Sequence, residues 1–120
     1  MVIQTIPHGA ATGGLFSFSF TRTKKLRVEL YLDLGNQEQT KAVFDKLFAQ
    51  KENFESQLGA LEWERLNNRR ASRIGIYHDG HILDERGHSD LRKWASETMI
   101  KFYNVIADSG EQAIREVKSE

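Results

Sequence analysis

Strict alternation of apolar and polar positions marks the extended segments of this chain. In residues 15–20, LFSFSF, Phe16, Phe18 and Phe20 fall on one side of an extended backbone and Ser17 and Ser19 on the other. Residues 26–35, LRVELYLDLG, place Val28, Leu30 and Leu32 on one side and Arg27, Glu29, Tyr31 and Asp33 on the other. The polar link between these two segments is short, which predicts an antiparallel hairpin with a basic tip. A second hairpin is predicted from residues 61–66, LEWERL, and 71–77, ASRIGIY, joined by residues 67–70. Leu61, Trp63, Ile74 and Ile76 then point inward. Glu62, Glu64, Arg73 and Tyr77 share the outer face with Arg27, Glu29 and Tyr31.

After Gly35 the apolar period changes to three and four residues. Asn36 is an N-cap, Glu38 places negative charge in the first turn, and Val43, Phe44, Leu47, Phe48, Phe54 and Leu58 form one stripe. A single helix over residues 36–58 is predicted, stopped at Gly59, with Lys41, Asp45, Lys46, Gln50, Glu52 and Glu55 on its outer surface. A second helix, capped by Ser89 or Asp90, carries Leu91, Trp94, Ala95, Thr98, Phe102, Val105 and Ile106 and is ended or interrupted at Gly110.

These elements give an α+β domain of two layers in ββα-ββα order: a four-stranded, mainly antiparallel sheet with two long helices on one face. The helix between the hairpins crosses back over the sheet, so the hairpins join if the first strand pairs with the third or the second with the fourth. Residues 1–14, with the only proline and three glycines, are expected as a mobile lead-in, 15–109 as the domain, and 110–120 as a helical turn or tail. RVELYLDLG also resembles SRIGIYHDG, with Gly35 over Gly80 and Tyr31 one position out of step with Tyr77, a hint of internal duplication.

Composition narrows the picture. The 120 residues are 39% hydrophobic, enough for one core and too few for two ordinary domains. Lysine plus arginine and aspartate plus glutamate balance at 17 each, so any pull on nucleic acid or an anionic membrane has to come from a local patch. The absence of cysteine removes disulfide and thiolate chemistry and fits a cytoplasmic location. The N-terminal residues lack the pattern of a signal peptide, and no run approaches membrane-spanning length; no membrane partner is expected.

Four stretches invite chemistry. GAATGG, residues 9–14, resembles a phosphate loop, but no Lys-Ser/Thr pair follows and a strand comes next. His78, Asp79, His81, Asp84, Glu85, His88 and Asp90 are metal-ligand types, with nothing to fix their geometry; they read as a solvated loop, and no metal or cofactor is assigned. The outer face sets Arg27, Glu29, Tyr31, Glu64, Arg73 and Tyr77 side by side, which cross-strand charge pairing explains and a binding surface would also use. No nucleophile, base and orienting group can be assembled. Arg22, Lys24 and Lys25 at the first tip, and Arg69 and Arg70 at the second, are candidate nucleic-acid contacts, expected at opposite ends of the sheet.

The segments LRVELYLDLG, KAVFDKLFAQKENFESQLG, LEWERLNNRRASRIGIY and LRKWASETMIKFYNVI, in this order, resemble a family of bacterial and archaeal domains of unknown function found C-terminal to restriction-endonuclease-like nuclease domains. The resemblance spans roughly residues 15–106 and implies a nuclease-like protein or domain as partner, or DNA itself. It brings no activity, since the nuclease residues of that family belong to the upstream domain. Glu62-Trp63-Glu64 has Glu where such a nuclease needs Lys. The resulting expectation is a small accessory or binding module that is not itself catalytic. The alternatives are a direct nucleic-acid-binding domain and a metal- or acid-base-dependent enzyme.

Overall fold

Both predicted hairpins form. The computed structural model describes residues 2–5, 13–79 and 88–120. In order these are β1 (Val2–Thr5), β2 (Gly14–Phe20), β3 (Lys25–Leu32), α1 (Gln37–Phe48), α2 (Lys51–Leu58), β4 (Glu62–Glu64), β5 (Ser72–Asp79) and α3 (His88–Lys118). The alternation in β2 and β3 meets in register, with Phe16 opposite Leu30 and Phe18 opposite Val28. The apolar sets therefore share one face.

The sheet order is β1-β2-β3-β5-β4. Of the two ways of joining the hairpins, the second strand with the fourth is the one realised: β3 pairs antiparallel with β5 from Lys25↔Asp79 to Leu32↔Ser72. Since β4 is antiparallel to β5 as well, β4 runs parallel to β3 with β5 between them. Residues 21–24 and 65–71 consequently lie at opposite ends of the sheet. Within the residues expected as a lead-in, Val2–Thr5 adds a fifth strand against β2, with an irregularity between Val2 and Gln4. Four residues are too few to raise a periodic signal alone.

Two helix expectations need correction. The helix predicted over residues 36–58 is two helices. The Asn36 carboxamide does cap α1, accepting from the Gln39 amide at 2.9 Å, but at the far end Gln50 N bonds to Leu47 O at 2.9 Å, tightening the last turn. The chain then restarts as α2. This bend exposes Phe48 and swings Phe54 onto Trp63, their ring centroids 6.4 Å apart and 22° from parallel. Glu55 Oε2 joins the same seam, accepting from Leu61 N at 2.9 Å and from Trp63 Nε1 at 3.2 Å.

The C-terminal helix, in turn, neither waits for a cap at Ser89 or Asp90 nor stops at Gly110. It runs unbroken over 31 residues, about 46 Å at 1.5 Å per residue, against a longest molecular dimension of 49 Å. Glycine inside a helix costs about 1 kcal/mol. Ala113, Ile114 and Val117 beyond it are buried, and each large apolar side chain contributes roughly 1.5–3 kcal/mol, so packing outweighs the glycine.

The core lies between the sheet and all three helices. Phe16, Val28, Leu30, Leu32 and Ile74 meet Val43, Phe44 and Leu47 of α1, Phe54 of α2, and Phe102, Ile106 and Ile114 of α3. Leu26, at the other end of β3, packs on Leu91 and Ala95 in a smaller cluster. The opposite face of the sheet carries the polar alternates.

Candidate functional site

On that polar face, β3 and β5 present the same pattern in opposite directions: Arg27-x-Glu29-x-Tyr31 and Arg73-x-Gly75-x-Tyr77. Antiparallel register sets Arg27 opposite Tyr77, Tyr31 opposite Arg73, and Glu29 opposite Gly75. The two segments thus form a local two-fold pair centred on Glu29 and Gly75.

Glu29 is the hub. Its Oε2 lies 2.8 Å from both Arg27 Nε and Arg73 Nε, and its Oε1 accepts from Ser17 Oγ at 3.0 Å. Arg27 Nε directs its hydrogen to Ser19 Oγ at 3.0 Å, so its contact with Glu29 is an ion pair without an aligned hydrogen bond. Arg73 extends the network, donating from Nη1 to Glu64 Oε1 at 3.2 Å. The other Glu64 oxygen accepts from the Tyr77 hydroxyl, which itself accepts from Arg27 Nη1 at 3.4 Å. The Arg27 guanidinium also stands 5.7 Å from the centre of the Tyr77 ring.

The face was expected to be open to water, yet Glu29 is only 6% exposed. No described helix covers it. Its carboxylate is in contact with Ser17, Arg27 and Arg73, and Gly75 opposite leaves them room, a Cβ there falling 3.5 Å from both Arg27 Cγ and Tyr77 Cε1. Burial raises the Tyr77 pKa above its ordinary value, and the hydrogen bond to Glu64 adds to the rise while Arg27 opposes it. The phenol therefore keeps its proton and is no nucleophile at neutral pH. Two arginines and two carboxylates balance, and each acid already has its cation. Tyr31 shares the face, half-buried, at the rim of the network.

The five candidate nucleic-acid contacts separate into two groups. Arg70 is engaged, its Nε and Nη2 each 2.8 Å from an oxygen of Asp33. Arg65 binds Asp45 in the same two-pronged way at 2.9 Å. Both aspartates are held below the usual carboxylate range, chiefly by these hydrogen bonds from arginine. Arg69 remains exposed beside them. At the other end Arg22, Lys24 and Lys25 are exposed, with Lys25 Nζ 3.9 Å from Asp79.

Lys41 is the residue that pattern reading misplaces. Assigned to the outer surface of the helix, it is 6% exposed. Its ammonium donates to Leu66 O at 2.9 Å, Ala71 O at 2.7 Å and Ser72 Oγ at 2.9 Å, and it contacts Arg65 O as well. Burial pulls its pKa below the ordinary lysine value, the Arg65 charge adds to this, and Asp45 opposes. The cage ties residues 65–72 to α1, including Leu66 at a left-handed φ of 54°. The only sequence signal is proximity to a loop of carbonyls, which cannot be read before the fold is known.

His81, Asp84 and Glu85 of the candidate metal loop, and the GAATGG stretch through residue 12, lie outside the described residues. Among the described residues no three His, Cys, Asp or Glu side chains gather as a metal set, and no helix is long and apolar enough to cross a membrane. His78 instead leans on Trp94, ring centroids 4.6 Å apart.

Fold and surface together define a mixed α+β domain whose most organised polar cluster is internally neutralised. A family model for a domain of unknown function, DUF4268, matches residues 10–109. The chain belongs to that family. No curated protein and no solved structure matches it.

Proposed function

We propose that this chain is a small accessory or binding module of a DNA-processing or defence-associated, nuclease-linked system and is not itself catalytic. The observation that carries this reading is the Glu29 hub. Its carboxylate is shared by Arg27 and Arg73, and Glu64 is taken by Arg73 and Tyr77. An acid–base catalyst needs a group free to exchange a proton with substrate, and a metal site needs carboxylates free to coordinate. Both carboxylates are ion-paired with arginine. A sheet face with its side chains held in place is instead suited to docking, because little side-chain entropy is lost on contact. The link to a nuclease-like protein or domain comes from the resemblance of the ordered segments between residues 15 and 106.

The test is incubation of the full chain with supercoiled plasmid and with single-stranded DNA in magnesium and in manganese. The expected outcome is intact substrate. Metal-dependent cleavage that disappears in Glu64→Gln overturns the reading, since Glu64 is half-buried and its replacement by an isostere spares the core.

A further inference from the structure

The two basic hairpin tips look equivalent in sequence and are different in structure. At residues 65–70 the guanidinium groups of Arg65 and Arg70 are each gripped by both oxygens of an aspartate. At residues 21–25 Arg22 and Lys24 are exposed and form no ion pair among the described residues, and Lys25 meets Asp79 only at 3.9 Å, the Asp79 side chain being 93% exposed. Among the described residues, this end therefore carries more cationic than anionic charge.

The tip is also stiff. Thr21 N donates to Lys25 O at 2.8 Å and Lys24 N to Thr21 O at 3.1 Å. Thr21 Oγ1 accepts from Lys25 N at 3.1 Å and shares a hydrogen bond of 2.9 Å with Thr23 Oγ1. Lys24 is held at a φ of 63°, a backbone region where glycine or asparagine is the easier choice. Beside these cations Phe20, the last residue of β2, is 46% exposed, although the alternation of β2 assigns it to the buried face. Its partner across the ladder is Leu26, and beyond this pair the β2–β3 ladder ends.

We infer that this tip is a contact site for single-stranded nucleic acid, with Arg22, Lys24 and Lys25 on phosphates and the Phe20 ring as a platform for one base. Cations on a rigid turn meet a backbone of regularly spaced charges with little entropy to lose. An exposed aromatic ring beside them stacks on any base, whatever its identity. An acidic peptide would satisfy the cations and leave the ring without a role. The inference rests on the reading of this chain as a binding module and names one thing that it binds.

The experiment is fluorescence anisotropy of labelled oligo(dT) titrated with the full chain from low to moderate salt, with a labelled polyglutamate peptide as the competing probe. Three phosphate contacts at about 0.7 counterions each give a log–log salt slope of about −2. Arg22→Gln and Lys24→Asn each reduce that slope by about 0.7. Phe20→Ser weakens binding about fivefold or more, whereas Phe20→Tyr, which keeps the stacking face, retains it. Absence of binding at low salt overturns the inference, as does equal affinity for polyglutamate, an unchanged affinity in Phe20→Ser, or a loss in Arg69→Gln equal to that in Arg22→Gln. Metal-dependent cleavage, by contrast, would end the module reading and leave the tip's binding standing.

Discussion

Lys41 of α1 donates to the backbone carbonyl of Ala71, 30 residues later, at 2.7 Å. Through this and the neighbouring bonds to Leu66 O and Ser72 Oγ, one ammonium replaces the water that would otherwise solvate the connection into β5. Lys41→Met keeps the apolar stem and removes the donors, leaving buried carbonyls unpaired. The expected loss is about 2–4 kcal/mol, read as a lower urea midpoint with an unchanged slope.

Glu29 predicts a comparable sensitivity on the polar face. Glu29→Gln leaves Arg27 and Arg73 without their shared counter-charge while both side chains are only 16% exposed. Removing one partner of a buried ion pair costs about 3–5 kcal/mol, and because both arginines keep other partners in Ser19 and Glu64, the low end applies. Equilibrium unfolding measures it. A second change, Arg73→Met in the Glu29→Gln background, is expected to recover part of the loss, as a double-mutant cycle would register.

Gly75 tests how that network is accommodated. A Cβ at this position would come 3.3 Å from the Val28 carbonyl oxygen, which belongs to the backbone and has little room to yield. Gly75→Ala is therefore expected to destabilise by about 1 kcal/mol despite the entropy that alanine saves, and Gly75→Val by more. Chemical-shift changes at the Arg27 and Tyr77 side chains should accompany the loss.

Acid sensitivity follows from the two arginine clamps. Asp33 and Asp45 have pKa values below the ordinary 3.8, chiefly through hydrogen bonds from Arg70 and Arg65. A carboxylate whose pKa is depressed by folding binds fewer protons folded than unfolded, so its contribution is complete above pH 3.8 and disappears as pH falls through the lowered value. Urea midpoints measured from neutral pH downward should hold until that range and then drop. In the double variant Asp33→Asn, Asp45→Asn the drop is expected to be shallower. Both clamps are solvent-exposed in part, so the effect is modest.

How far the sequence reveals this molecule depends on which interactions are periodic. The Phe16-to-Leu30 register and the stripes of α1 and α3 follow from spacing, and so does the gathering of Arg27, Glu29, Glu64, Arg73 and Tyr77 on one face. The break after Phe48 is illegible because AQKE contains neither glycine nor proline; tertiary contact between Phe54 and Trp63 bends the chain there. Lys41 misleads because a charged residue beside a helix stripe is normally a surface residue. The burial of Glu29 between Arg27 and Arg73 depends on which residues the register sets side by side, Gly75 opposite it among them. The difference between the two basic tips depends on where Asp33 and Asp45 fall in space, which no spacing rule supplies.

The placement of β5 bears on how the chain comes together. Among the described residues it is the last strand made and the one strand that β4 pairs with, while β3 and the helices that precede it are complete earlier. Until Ser72–Asp79 arrive, Glu62–Glu64 have no neighbour to bond, and β3 presents an open edge. Emerging from the ribosome, the chain must hold that edge bare through about 40 further residues, on the order of a few seconds at ordinary synthesis rates. Once paired, β5 closes both gaps, since it bonds β3 on one side and β4 on the other.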